Sequence, residues 1–146
     1  DGGGLEVAEG RAPDLEPAML QTLSLHIPTQ SANASDEWYI ANPHKGTWRI
    51  VSAYFAPATA VAIDGTDYFT VTLSSNDGAA SSDVTIASHN TNTGGTALVL
   101  KTSIALTLSG AGLQLSQGGQ IKVAKVHTAS GKILDGTYTF GLEKVN

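Results

Sequence analysis

Histidine is the first residue type to examine for chemistry here, because imidazole binds metals and moves protons near neutral pH. The four histidines, at positions 26, 44, 89 and 127, stand far apart and form no two-histidine ligand spacing. A metal centre would have to be assembled entirely by folding, so they read as strand-face or loop histidines. The acidic turn Asp64-Gly65-Thr66-Asp67, with Asp77 or Asp83, could offer oxygen ligands to calcium. The EF-hand loop pattern is absent, and a plain Asp-Gly turn ahead of a strand accounts for the same residues. Serines are abundant, but no Gly-x-Ser-x-Gly elbow occurs. A glycosidase needs two facing carboxylates, whereas Asp36, Glu37, Asp64, Asp67, Asp77, Asp83, Asp135 and Glu143 fall mostly in turns. With no cysteine in the chain, thiol nucleophiles, iron–sulfur clusters and zinc–thiolate sites are excluded. Gly2-Gly3-Gly4 and Gly118-Gly119 lack the Lys-Ser/Thr and helix of a phosphate loop. Neither an enzyme nor a cofactor is expected; a hydrolase would need a compact acid pair that the spacing does not provide.

Aromatic residues are the remaining lead. Trp38, Tyr39, Trp48 and Tyr54 cluster early in the chain, beside Asp36, Asn42, His44 and Arg49. Such a group could form a sugar-stacking platform or anchor an interface. Adjacent Trp38 and Tyr39 must point to opposite faces of a strand, so at most one of them enters a given core. The other is expected to be covered by the amino-terminal arm or a second subunit, since Trp and Tyr are enriched at interfaces.

The elements that would position these groups are strands. Runs at about 20–27, 36–41, 47–56, 67–74, 82–88, 96–108, 120–128 and 137–145 alternate apolar with polar residues. The longest is 96–108, where Leu98, Leu100, Ile104, Leu106 and Leu108 share one parity. In 67–74 the inward set is Phe69, Val71 and Leu73; in 137–145 it is Tyr138, Phe140 and Leu142. In 120–128 Val126 breaks the parity of Ile121 and Val123, predicting a bulge near Ala124 or burial on both faces. Turn signals separate the runs, among them Asp64-Gly65, Asn76-Asp77-Gly78, Gly118-Gly119 and Asp135-Gly136. The expected fold is all-β: an eight-stranded antiparallel β-sandwich, jelly-roll-like, with an immunoglobulin-like sandwich as the competing topology.

Charge divides the chain of 146 residues unevenly. Residues 1–18 hold Asp1, Glu6, Glu9, Asp14 and Glu16 against Arg11, a net of −4, whereas residues 19–146 hold eight acids against seven bases, a net of −1. The expected organisation is an extended acidic arm, 1–18, followed by one sandwich domain, 19–146, large enough to build its own core. The arm reads either as a solvated tail or as a strap on a partner, in which Leu5, Val7, Leu15 and Met19 would make contact. A near-neutral body with an acidic arm repels phosphate, so no nucleic acid is expected as a partner. The sequence holds no apolar run of about 18 residues and opens on no basic-then-apolar leader, so neither a membrane span nor an uncleaved signal peptide is expected. Beginning at Asp1, the chain is expected to be trimmed or missing its first residues.

A resemblance adds to this. The stretch Leu113-Gln114-Leu115-Ser116-Gln117-Gly118-Gly119-Gln120-Ile121-Lys122-Val123, the turn Ser130-Gly131-Lys132 and the closing run Gly136-Thr137-Tyr138-Thr139-Phe140-Gly141-Leu142-Glu143 resemble small phage virion proteins. So do Gly46-Thr47-Trp48-Arg49-Ile50, Tyr54-Phe55 and Thr70-Val71-Thr72-Leu73. The family is the capsid decoration, or cement, proteins of tailed bacteriophages, and the resemblance covers about residues 20–146. It implies a virion structural protein on the outer surface of the capsid. It further implies a homotrimer at three-fold or quasi-three-fold positions that clamps the major capsid protein, with an arm reaching over neighbouring subunits. Trp38, Tyr39 and Trp48 would then join the arm residues as partner-binding positions. The alternative is a carbohydrate- or receptor-binding head domain of a phage fibre or adhesin, with a glycan on the aromatic platform.

Overall fold

The computed structural model describes residues 19–145; Leu5, Val7, Leu15 and the rest of the predicted arm lie outside them. Nine strands form among the described residues: β1 Leu20–Ile27, β2 Asp36–Ala41, β3 Thr47–Pro57, β4 Tyr68–Asn76, β5 Val84–Asn90, β6 Ile104–Ala105, β7 Gln114–Ser116, β8 Gln120–Thr128 and β9 Gly136–Val145. They make two antiparallel sheets, one in the order β1-β9-β3-β6 with β7 also on β3, the other in the order β2-β8-β4-β5. β6 pairs with β3 at Tyr54 and Phe55, and β7 pairs with β3 at Thr47, Trp48 and Arg49. The two short strands thus share one edge of β3, and together they stand for a single interrupted sixth strand. Counted that way, the sheets read 1-8-3-6 and 2-7-4-5, which is the jelly-roll order.

Period-two patterning explains most of this. Phe69, Val71 and Leu73 of β4 and Tyr138, Phe140 and Leu142 of β9 are each fully buried, as their alternation requires. They meet Ile50, Phe55, Ile86, Ile121 and Val123 in one core between the sheets. The Gly118-Gly119 turn forms as expected: Gly118 adopts a φ of 86°, its N–H donates to the Asn42 carbonyl at 2.7 Å, and the Gly119 carbonyl accepts from Asn42 N–H at 2.8 Å.

Two expectations are corrected. The long strand at 96–108 does not form. Leu98 makes an isolated bridge with Val61, the chain turns with Thr102 N–H donating to the Val99 carbonyl at 3.2 Å, and Lys101 takes a left-handed φ of 63°. Leu100 is left 51% exposed, and regular pairing is confined to Ile104–Ala105. The chain then changes sheets, since Leu106 N–H donates to Ala53 of β3 whereas Ser109 N–H donates to Ile86 of β5. Apolar alternation survives there as partial burial of Ile104, Leu106 and Leu108, but the backbone follows the gap between sheets instead of one ladder.

In β8 neither a bulge at Ala124 nor two-sided burial occurs. The register runs unbroken against β2 and β4, and the inward position after Ile121 and Val123 belongs to Lys125. Val126 faces outward, 57% exposed. The bulges lie in β3, between Ile50 and Ser52, and in β4, between Leu73 and Ser74.

Candidate functional site

The aromatic platform expected from the sequence is dispersed by the fold. Trp48 is 3% exposed and belongs to the core, its indole N–H donating to the Lys45 carbonyl at 3.0 Å. The Lys144 ammonium lies 5.6 Å from its ring centroid and the His44 ring 5.5 Å away, so this indole is unavailable to a partner. Trp38 is half-buried and packs against the core from the four-stranded sheet. Tyr39 points the other way and is 49% exposed, while Tyr54 is 48% exposed on the five-stranded sheet. The rule that Trp38 and Tyr39 must diverge therefore holds, but the four rings share no surface. Met19 is 58% exposed, and its carbonyl accepts from Lys144 N–H at 3.0 Å, extending the β1–β9 pairing by one step.

The histidines also separate. His26 is exposed on β1, His44 packs on Trp48, and His127 bonds through Nδ1 to the Ala129 carbonyl at 3.0 Å. His89 is 7% exposed, within the aromatic group Phe55, Phe69 and Tyr138. Among the described residues no group of three His, Cys, Asp or Glu side chains is placed to hold a metal ion. The acidic turn is already engaged: Asp64 Oδ1 accepts from the N–H groups of Thr66 and Asp67 at 2.8 and 3.1 Å, and Asp64 Oδ2 lies 3.3 Å from the Lys132 ammonium. Those hydrogen bonds, more than the lysine, hold the Asp64 carboxyl below its ordinary range. Asp67 Oδ1 accepts from Ser130 N–H at 2.9 Å, and Asp83 sits with Lys122 on the far strand, so the proposed oxygen ligands do not converge.

Two buried polar arrangements escaped the sequence reading. Lys125 is 1% exposed, with Nζ donating to Gln30 Oε1 at 3.2 Å and to the carbonyls of Ser31 and Ala32 at 3.4 and 3.2 Å. Its ammonium also lies 5.7 Å from the Phe69 ring centroid. Burial lowers its pKa, and the field of Asp36 opposes that shift. The signal was available, because strict alternation from Ile121 and Val123 puts residue 125 inward. Its charge argued against that placement. In the second arrangement, His89 Nε2 and Tyr138 Oη are 2.5 Å apart and share one hydrogen. Burial lowers the His89 pKa to about 4 and pushes the Tyr138 phenol well above its ordinary value.

Two of the surfaces open to a partner are the outer faces of the sheets, and register defines both. Across the five-stranded sheet the rows are Leu20–Glu143–Arg49, Thr22–Gly141–Ser52, Ser24–Thr139–Tyr54–Ala105 and His26–Thr137–Ala56. Within these rows the formal charge is one ion pair, Arg49 to Glu143 at 3.3 Å, and small neutral side chains surround Tyr54. The four-stranded sheet differs. Lys122 of β8 lies 2.8 Å from Asp83 and 3.3 Å from Glu37, and the Tyr39 hydroxyl donates to Glu37 Oε1 at 3.0 Å. Hydrogen bonding to Asp83 raises the Lys122 pKa, and hydrogen bonding to Glu37 raises that of Tyr39.

No family model and no curated protein matches the chain. Among solved structures it is similar to one described as the structure of Eiger TNF from S. frugiperda, at 12% identity and a TM-score of 0.35, over 90% of this chain and 94% of that one.

Proposed function

We propose that this chain is a virion structural protein: a capsid decoration, or cement, protein of a tailed bacteriophage, bound as a homotrimer to the major capsid protein on the outside of the head. The carrying observation is the outer face of the five-stranded sheet, where Tyr54 stands 48% exposed and Val51 47% exposed among Thr, Ser, Gly and Ala. A face of this kind can meet a second copy with little charge to desolvate and with an aromatic anchor near its centre. The resemblance in the β7–β8, β3 and β9 segments supports the same reading. A cement role requires no catalysis, cofactor, nucleic acid or membrane. It stabilises a shell by mass action, binding the assembled lattice in preference to its separated parts.

Light scattering on the full chain, followed by binding to purified heads stripped of decoration, tests the proposal. Three chain masses and saturable binding at three-fold sites are expected. A monomer that leaves stripped heads bare would overturn it. The second reading, a carbohydrate- or receptor-binding head domain of a fibre or adhesin, is favoured by the half-exposed Tyr39 on the opposite sheet.

A further inference from the structure

An open sheet ends on strands whose outer backbone groups can pair with another chain, and proteins ordinarily guard them. Three of the edges here are guarded. β6 and β7 are two and three residues long. β5 gives its Ile86 carbonyl to Ser109 N–H at 2.9 Å and its pairing with β4 is broken by a bulge. β2 opens on Asp36 and Glu37, whose like charges would repel those of a second β2. β1 has none of these protections. Its 8 residues, Leu20–Ile27, include no acid, lysine, arginine, proline or glycine, and its register against β9 is unbroken. Among the described residues no strand pairs with its other side.

The phase of the ladder fixes which groups that edge offers. Lys144 N–H donates to the Met19 carbonyl at 3.0 Å, so the odd-numbered residues of β1 bond to β9 and the even-numbered ones turn their N–H and C=O outward. The far side of the sheet keeps the same phase. Ala53, opposite Phe140, gives its carbonyl to Leu106, which leaves Phe140 to bond with Leu23. Leu20, Thr22, Ser24 and His26 therefore present their backbone donors and acceptors to the free edge. Leu20 adds a side chain that is 67% exposed.

A second copy of β1 fits this row in one register. With a two-fold axis at Leu23, antiparallel pairing sets Leu20 opposite His26 and Thr22 opposite Ser24, and by symmetry each pair occurs twice. Every outward N–H then meets a carbonyl. Moving the axis to Ser24 would set Leu20 opposite Pro28, which has no N–H to give. Moving it to Thr22 would carry His26 past the first residue of the partner strand. No formal charge on the strand opposes its own copy.

We propose that β1 is a self-pairing edge, through which the five-stranded sheets of two copies join, antiparallel and about a two-fold axis at Leu23, into one continuous sheet. Four residues from each copy make a small contact, so it forms where copies are crowded and leaves the mass in dilute solution unchanged. It uses backbone groups at the rim of the sheet and does not depend on the face around Tyr54.

Disulfide trapping tests it, because the chain has no cysteine of its own. Full chains carrying Thr22→Cys are mixed with full chains carrying Ser24→Cys, concentrated and oxidised in air. In the proposed register these two positions face each other at a Cα separation of about 5.5 Å, whereas position 22 is about 9 Å from its own copy, too far for a disulfide. The mixture should link at least tenfold faster than either variant alone. Adding Ser24→Lys to the first chain and Thr22→Lys to the second sets two ammonium groups opposite each other and should slow linkage; Thr22→Glu in place of the second lysine should restore it. All of these positions are exposed, so the fold should be kept. Linkage should also persist with Tyr54→Lys, which breaks only the proposed trimer. A mixture that links no faster than the single variants, as when residues 1–18 cover the edge instead, would overturn the proposal. So would equal rates for the two charge arrangements, or linkage lost with Tyr54→Lys.

Discussion

The two sheets share one core but treat polarity in opposite ways. The five-stranded sheet is uncharged and largely apolar inside, with Ile50, Phe55, Phe140 and Leu142 and one buried hydroxyl, that of Tyr138, and almost uncharged outside. The four-stranded sheet is polar on both faces, with Lys125 and His89 turned into the core and the Lys122–Glu37–Asp83 group outside. A sheet that buries an ammonium must give it oxygens, and here the 30–32 loop folds over β8 to supply them. The four-stranded sheet is thereby tied to its loops by specific bonds, whereas the five-stranded sheet presents a plain surface. The assembly proposed above would use the plain surface.

The largest way to break this contrast is acid. Above pH 6.5 His89 is neutral in the folded and the unfolded chain, and its contribution to stability is complete. Between 6.5 and about 4 only the unfolded chain takes up the proton, so stability falls as pH falls, by about 3 kcal/mol over that window. Urea unfolding at several pH values measures the slope, and His89→Gln should flatten it. A slope unchanged in that variant would remove His89 as its source.

Next comes Lys125→Ala, which leaves the Ser31 and Ala32 carbonyls without this donor and should cost about 2 kcal/mol. Calorimetry at neutral pH would register it. A neutral result would mean that water replaces the ammonium and that the loop is not held by it.

Smaller in stability, but decisive for assembly, is Tyr54→Lys. It puts a charge at the middle of the neutral face and should convert the proposed trimer to monomer in light scattering while the urea midpoint of the monomer stays in place. If the oligomer survives, the contrast between faces has been drawn on the wrong sheet.

The least effect belongs to Lys122→Gln. Lys122 is partly buried, but its partners Glu37 and Asp83 reach solvent, and ion pairs at a surface contribute about 0–1 kcal/mol, so the thermal midpoint should move little and any loss should shrink further in high salt.

Alternation along the chain determined the sandwich. Phe69, Val71 and Leu73, and likewise Tyr138, Phe140 and Leu142, could be placed inward because a strand has a side-chain period of two and one face here must leave water. The divergence of Trp38 and Tyr39 was legible for the same reason. Other features depended on contacts remote in sequence. Whether residues 96–108 form a strand rested on which backbone neighbours lay alongside, and the turn at Val99–Thr102 with the crossing to Ile86 took those neighbours away. Whether Lys125 could turn inward rested on Gln30, Ser31 and Ala32, more than ninety residues earlier. Whether four nearby aromatics made one platform rested on the sheet to which each strand was assigned, and β2, which carries Trp38 and Tyr39, joins the sheet opposite that of β3, which carries Trp48 and Tyr54. Local pattern sets which face of a strand is dry; only the assembled sheets decide what that face meets.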